Sequence, residues 1–288
     1  MKRYFIKLKA GQKASLLQVI MKYLKMEKEE ALSLITGGSV WNAERNQRLA
    51  DPEYLVTEET LKVNKPLRPA RPYELPERYV VYEDSSLMAV FKEAGLASHP
   101  TPYSQVECLT YGVQTYLDKS SPGAGYRVSG INRLDRPTRG LMLLAKNKAC
   151  EAALHGLFRE KKISKIYLAY TEVLESPPLS LSIEDTLEWN GKTKRAETRV
   201  RYLGRSSGRD RDYFLAFPRT GRTHQVRQHF ARYIAPLWGD SRYGAAGVSP
   251  LGLICISYCF FHPETGERIR ITLPERLWRE GENGDKTR

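Results

Sequence analysis

Residues 65–76 read Lys-Pro-Leu-Arg-Pro-Ala-Arg-Pro-Tyr-Glu-Leu-Pro, with four prolines in twelve positions. Proline lacks an amide donor and fixes φ, so this stretch can be neither a helix interior nor a central strand. It predicts an extended, semi-rigid linker that divides the 288-residue chain in two. That length is long for one compact domain and short for three. The expected organisation is a small module over residues 1–64, the linker over 65–76, a large domain over 77–279 and a polar tail over 280–288. Three positive charges on the linker, at Lys65, Arg68 and Arg71, can also reach a polyanion.

Charge points to such a partner. Lysine and arginine number 46 against 33 acidic residues, a net +13. The basic residues recur in many segments, so a broad basic face is expected, with a polyanion, nucleic acid foremost, as its partner. A hydrophobic fraction of 41% is enough for a real core. No stretch approaches the ~18 apolar residues of a membrane span. The first residues mix charge with apolar side chains and so lack a signal-peptide core. Cys108, Cys150, Cys255 and Cys259 show no CxxC pairing and read as buried thiols. A cytoplasmic protein is expected. With no heptad or large apolar stripe, the expected state is a monomer.

Within residues 1–64, Ser15 can cap a helix carrying Leu16, Leu17, Val19, Ile20, Tyr23 and Leu24. A second helix, over about 27–36, is stopped by Gly37 and Gly38. Strands are expected at Val40-Trp41 and over 59–63. Two short helices followed by Gly38-Ser39-Val40-Trp41-Asn42 and a return strand resemble the S4-type RNA-binding module.

Beyond the linker, strand-like runs dominate: 79–84, 87–92, 140–145, 163–173, 198–203 and 213–217. A hairpin is expected from 251–261 and 268–273. Helices are expected over 105–118, 147–160 and 223–234. Ala149, Ala152, Ala153, Leu157 and Phe158 face inward in the second of these. Short connections and an excess of strands predict an α+β fold, with a mixed, mainly antiparallel sheet and flanking helices.

Three segments carry chemistry. In the first, Asp135 stands between Arg133 and Arg136, and Pro137 turns the chain away from a regular helix. Such a carboxylate is either a surface salt bridge or, held charged by an arginine, a nucleophile that needs no metal. In the second, Pro218-Arg219-Thr220-Gly221-Arg222-Thr223-His224 reads as a strand exit, a glycine turn and a helix start capped by Thr223. A cation at a helix N-terminus is disfavoured by the dipole, so Arg222 either faces an anion or is a solvated loop arginine. His224 and His229 do not share a helical face, so no metal site is expected. In the third, Lys165, Tyr167 and Ala169 alternate on a strand, where Tyr167 is either a core residue or a ring for base stacking.

Together these segments resemble the RluA family of pseudouridine synthases. The stretch Asn132 to Leu141 is similar to the family's nucleophile motif, Lys165-Ile166-Tyr167 to its Lys-x-Tyr motif, and Thr220 to Arg227 to its Thr-Gly-Arg-Thr-His-Gln-Ile-Arg motif. Gly239-Asp240-Ser241-Arg242-Tyr243-Gly244 matches a further motif in full. The resemblance covers about residues 78–275. It implies an RNA uridine isomerase acting on rRNA or tRNA, with Asp135 as nucleophile, Arg222 as its ion-pair partner, and Tyr167 stacking on the uracil and assisting proton removal. Arg133, Thr138, Gly221 and His224 would support them, and Lys92, Arg136, Arg139, Lys165 and Arg227 would contact RNA. No metal, nucleotide or redox cofactor is implied.

The departures from the family pattern are Asn132 for histidine, Arg139 for serine, Phe91-Lys92-Glu93 for Asn-Lys-Pro, and Leu253-Ile254-Cys255 for Leu-His-Ala. They motivate one alternative, a non-catalytic RNA-binding or ribosome-assembly factor on the same fold. A carboxylate hydrolase lacks a clearly placed second acid.

Overall fold

The structure, a computed structural model, describes residues 2–205, 210–244 and 250–279. The expected tail over 280–288 lies outside them. The chain divides into two compact units, one of Met1–Leu75 with His99–Ala124, the other of Pro76–Ser98 with Gly125–Arg288.

The first unit holds β1 (Lys2–Ile6), β2 (Ala14–Ser15), α1 (Leu16–Leu24), α2 (Lys28–Thr36), β3 (Val40–Asn42), β4 (Gln47–Leu49), β5 (Leu55–Val56), β6 (Leu61–Lys65) and α3 (Leu109–Ser120). Ser15 caps α1 as expected. Its hydroxyl accepts from the Gln18 amide while the Gln18 side chain accepts from the Ser15 amide, a reciprocal capping box. Leu16, Val19 and Ile20 of α1 and Ala31, Leu34 and Ile35 of α2 share one core with Val40, Leu61 and Val63. The sheet is antiparallel, in the order β1-β6-β3-β4, and β2 pairs with β5 apart from it. β1 was not visible in the sequence.

Residues 99–124, expected in the large domain, belong to this first unit. Long-range hydrogen bonds put them there. Ser39 Oγ donates to the Tyr103 carbonyl at 2.7 Å and Trp41 Nε1 to that of Pro102 at 2.8 Å. Arg48 Nη2 donates to the Thr101 carbonyl at 2.7 Å, and Gln105 Nε2 to that of Thr36 at 2.8 Å. Part of the Pro-rich stretch is also tied in, since the Tyr73 amide donates to the Val106 carbonyl at 2.9 Å.

The second unit holds β7 (Val80–Glu83), β8 (Leu87–Lys92), β9 (Ser129–Gly130), β10 (Arg139–Ala145), α4 (Lys148–Arg159), β11 (Ser164–Glu172), β12 (Ser180–Trp189), β13 (Lys192–Arg205), β14 (Arg211–Pro218), α5 (Gln225–Tyr233), β15 (Leu253–Phe261), β16 (Arg268–Thr272) and α6 (Glu275–Arg279). The sheet runs β12-β13-β14-β11-β15-β10-β8-β7, with β16 on β15 and β9 on β10. The pairings are antiparallel except β10 with β15, so the fold is the expected α+β class with a mixed, mainly antiparallel sheet. Among the described residues no helix is long and apolar enough to cross a membrane.

β8 and β10 are buried along their whole length, which explains their continuous apolar runs. Where β10 meets β15, Gly140 has φ +120°, and a Cβ there would lie 2.4 Å from the Cys255 backbone. Only glycine allows that approach. On α4 the buried residues are Cys150 and Leu154, whereas Ala149, Ala152 and Ala153 are exposed, which corrects the expected face. The small alanines suited either face, and the larger leucine decided it. α5 inverts the usual pattern, since Gln225, Arg227, Gln228 and His229 are buried along with Val226 and Phe230.

Candidate active site

Asp135 lies on the loop between β9 and β10, and residues 92–98 clamp that loop. Lys92 ends β8 with its amine fully buried. Nζ donates to the carbonyls of Glu93 and Leu96 at 2.8 Å each and of Arg136 at 3.3 Å. Ser98 Oγ donates to the Leu134 carbonyl at 2.9 Å and accepts from the Leu134 amide at 3.1 Å. The Gly95 amide donates to the Arg136 carbonyl at 2.7 Å, and the Arg136 Nε returns a bond to the Gly95 carbonyl at 2.7 Å. The Thr138 amide closes the turn onto the Asp135 carbonyl at 2.9 Å. Asp135 is thus fixed from both sides, with its side chain 16% exposed.

Arg227, on the first turns of α5, is the ion-pair partner of Asp135, with Nη1 3.5 Å from Oδ2. Its other edge is held by Asp240, with Nε to Oδ2 at 2.8 Å and Nη2 to Oδ1 at 2.7 Å. Burial works against the Arg227 charge, but Asp240 and then Asp135 outweigh it and hold its pKa above the ordinary value. Asp240 is fixed in turn by amides of Arg242 and Tyr243, at 3.1 and 3.2 Å. Burial raises the Asp240 pKa, and the Arg227 pairing and these amides more than reverse that.

Arg222, expected in this role, does not take it. Its Nε donates to the Arg195 carbonyl at 3.0 Å, and among the described residues no ion pair joins it to Asp135. Arg222 precedes α5 on the turn, whereas Arg227 lies inside the buried first turns that face the carboxylate. Nor does Thr223 cap the helix. The N-cap is His224, at φ +55°, a left-handed position uncommon for a residue with a side chain. That conformation brings His224 Nε2 to 3.7 Å from Asp135 Oδ1. Nδ1 lies 3.0 Å from the Tyr243 hydroxyl, and the ring meets Trp189 edge-on at 4.9 Å. Burial lowers the His224 pKa, with Asp135 pulling the other way. Gly221 is exposed and does not sit at positive φ, so the turn does not depend on glycine there.

Asp135, Arg222, His224 and Arg227 line one cavity of about 520 Å³, within the range of small-ligand sites. Tyr167 forms part of its wall, 8% exposed, between β14 and β15 at a register shift after Ile166. Burial pushes its phenol well above the ordinary tyrosine pKa, so the hydroxyl stays protonated at neutral pH. Lys165 lines the cavity too, its Nζ 3.4 Å from the Thr220 carbonyl, and burial lowers its pKa. Thr138 lines it with a buried hydroxyl that has no hydrogen-bond partner among the described residues. Arg133 lines the cavity as an exposed cation.

Of the expected RNA contacts, Lys92 and Arg139 are buried, at 0% and 3% exposure, and Arg227 is committed to the ion pair. Lys92 and Arg139 therefore present little surface, whereas Arg227 lines the cavity. Lys92 is a strut under the nucleophile loop, and Arg139 is drawn inward with the fully buried β10. Arg136 is exposed and half engaged with Gly95. Asn132 donates to the Tyr258 hydroxyl at 2.7 Å and lines the same cavity as Asp135. Sequence reasoning missed the roles of Asp240, Ser98 and Lys92. A signal for Arg227 was present in α5, where a run of polar residues can be buried only if its members find partners.

A family model described as RNA pseudouridylate synthase matches residues 86–232. A Rickettsia felis protein named ribosomal large subunit pseudouridine synthase C is 30% identical over 82% of this chain and 76% of its own length. An Aquifex aeolicus protein named as an uncharacterized RNA pseudouridine synthase is 30% identical over 88% of this chain and 85% of its own. The structure of human RNA pseudouridylate synthase domain containing 4 aligns with a TM-score of 0.56 at 22% identity, over 70% of this chain and 90% of that one. That likeness shows the fold.

Proposed function

This chain belongs to the RluA family of pseudouridine synthases, an RNA-modifying isomerase, and we propose that Asp135 is its nucleophile and ribosomal RNA its substrate. The observation that carries the assignment is the Asp135–Arg227 ion pair in the cavity walled by Tyr167. A carboxylate attacks as the anion, and a guanidinium anchored by a second acid supplies counter-charge without moving. The names of the relatives, which act on the ribosomal large subunit, support the choice of RNA.

A uridine must leave its helix or loop to enter the cavity. There Tyr167 gives its ring as a wall for the uracil, and the protonated hydroxyl serves as a hydrogen-bond donor. Attack by Asp135 forms a bond to uracil C6 or to ribose C1′, and either route leads to the same exchange. The N1–C1′ bond breaks, the uracil turns, C5 bonds to C1′, the bond to Asp135 breaks to restore the carboxylate, and the C5 proton leaves while N1 takes one up. Water must be kept from the detached base while the uracil turns. Helices α1 and α2 and the antiparallel sheet β1-β6-β3-β4 support the reading of residues 1–64 as an S4-like RNA-binding module.

The test is tritium release from in vitro transcribed ribosomal RNA labelled at uridine C5. Wild type releases tritium and Asp135→Asn does not. Equal release from both overturns the nucleophile assignment, and release from transfer RNA alone overturns the substrate.

A further inference from the structure

One carboxylate in the second unit has more cations than it can neutralise. Glu197 on β13 lies 3.5 Å from Lys161 Nζ, 3.5 Å from Arg195 Nε and 3.8 Å from Arg219 Nη1. Its own side chain is 13% exposed, whereas Lys161, Arg195 and Arg219 are 46%, 67% and 73% exposed. Arg222 joins them through its bond to the Arg195 carbonyl. Glu184, 2.7 Å from Arg195, is the second acid of the group. Four cations against two carboxylates leave a surplus of two positive charges.

The cluster is built rather than scattered. The Glu197 amide donates to Thr220 Oγ1 at 3.0 Å, and its carbonyl accepts from the Arg219 amide and from Gln225 Nε2, both at 2.9 Å. The turn that leads to α5 therefore fixes the Glu197 backbone, and the carboxylate gathers the cation heads. Lys161, Arg219 and Arg222 also line the cavity that holds Asp135.

A flipped nucleotide stays tethered by the phosphates on both sides of it, so its backbone must cross the rim of the pocket that receives the base. Guanidinium groups match phosphate oxygens in a fork and are weakly hydrated. From this we infer that the Lys161–Arg195–Arg219 cluster is the docking site for an RNA phosphate next to the target uridine, with Glu197 as the group that preorganises it. The inference rests on the RNA-modifying reading above.

The experiment compares K161A/R219A with K148A/R268A, a charge-matched pair at exposed positions of the same unit that do not line the cavity. The RNA is an in vitro large-subunit ribosomal transcript labelled at uridine C5. K161A/R219A should raise KM about tenfold while kcat stays within twofold. The slope of log Kd against log salt should become shallower by about 0.7 to 0.9 more than in the control pair. Equal KM and equal salt slopes for the two pairs overturn the inference, as does a fall in kcat with KM unchanged. K161Q/R219Q replaces the alanine pair if the latter melts early. Salt slopes come from binding alone, so a wild type that releases no tritium defeats the functional reading while the slopes still decide the phosphate site.

Discussion

Asp240 grips two nitrogens of Arg227 and leaves the third facing Asp135. The acid that orients the arginine thereby sets where positive charge meets the nucleophile. Asp240→Asn keeps the shape and removes the counter-charge. Breaking a buried pair in this way costs about 3–5 kcal/mol. The loosened guanidinium should lower kcat about 100-fold, as misplacements near 1 Å do. Single-turnover rates with saturating ribosomal RNA, alongside urea unfolding, check both effects. Arg227→Lys keeps the charge without the fork and should also lose kcat.

Lys92 offers a prediction with a defined pH window. Burial pulls its amine down to about 7 from 10.5, with Asp135 opposing the shift. Between those values the unfolded chain binds the extra proton, so this group makes stability rise as pH climbs from about 7 toward 10.5. Lys92→Met removes that rise and leaves three carbonyls without their donor, at a cost of about 3 kcal/mol or more. Urea unfolding from pH 6 to 9 should show wild type gaining stability relative to the variant. Because Arg136, next to the nucleophile, loses one of the donors that hold its carbonyl, kcat should fall as well.

At Tyr167 the ring and the hydroxyl can be separated. Tyr167→Phe keeps the wall and loses the donor, so kcat should fall about 100-fold while KM stays within threefold. Tyr167→Leu removes the stacking face, worth about 1–3 kcal/mol for a base, and should raise KM about tenfold or more. Steady-state tritium release distinguishes the two patterns.

His229 sets an acid limit. It is fully buried, with Nδ1 2.8 Å from Thr198 Oγ1, and burial lowers its pKa from 6.5 to about 4. Over that interval the unfolded state binds more protons, so stability falls as pH drops from 6.5 to 4. The shift corresponds to about 3 kcal/mol at most. His229→Phe should flatten this part of the pH profile in thermal melts, even if it lowers stability at pH 7.

What could be read from the chain was local. Ser15 and Gly37 bracket the first helices because caps act over one turn. β8 and β10 showed as apolar runs because both faces are covered. β12 was overlooked although Leu181, Ile183 and Leu187 alternate in it. Pro177 and Pro178 hid its start, and Asp185 breaks the apolar series. At the site, Asp135 and Tyr167 stood out by their neighbours. The choice between Arg222 and Arg227 did not, because it depends on whether the turn before α5 or the helix itself faces a loop ninety residues earlier. Lys92 was read as an RNA contact for the same reason, since a lysine at a strand end gives no local sign that backbone carbonyls surround it.

The chain enters the first unit, leaves it after Leu75, returns at His99 and leaves again after Ala124. Each unit is therefore discontinuous in sequence. Cutting at the Pro-rich stretch would separate Ser39 and Trp41 from the carbonyls of Tyr103 and Pro102 that they bind. The N-terminal module is not a detachable cassette. Gene fusion or recombination at that stretch would divide a folded body, so the two units must be inherited together.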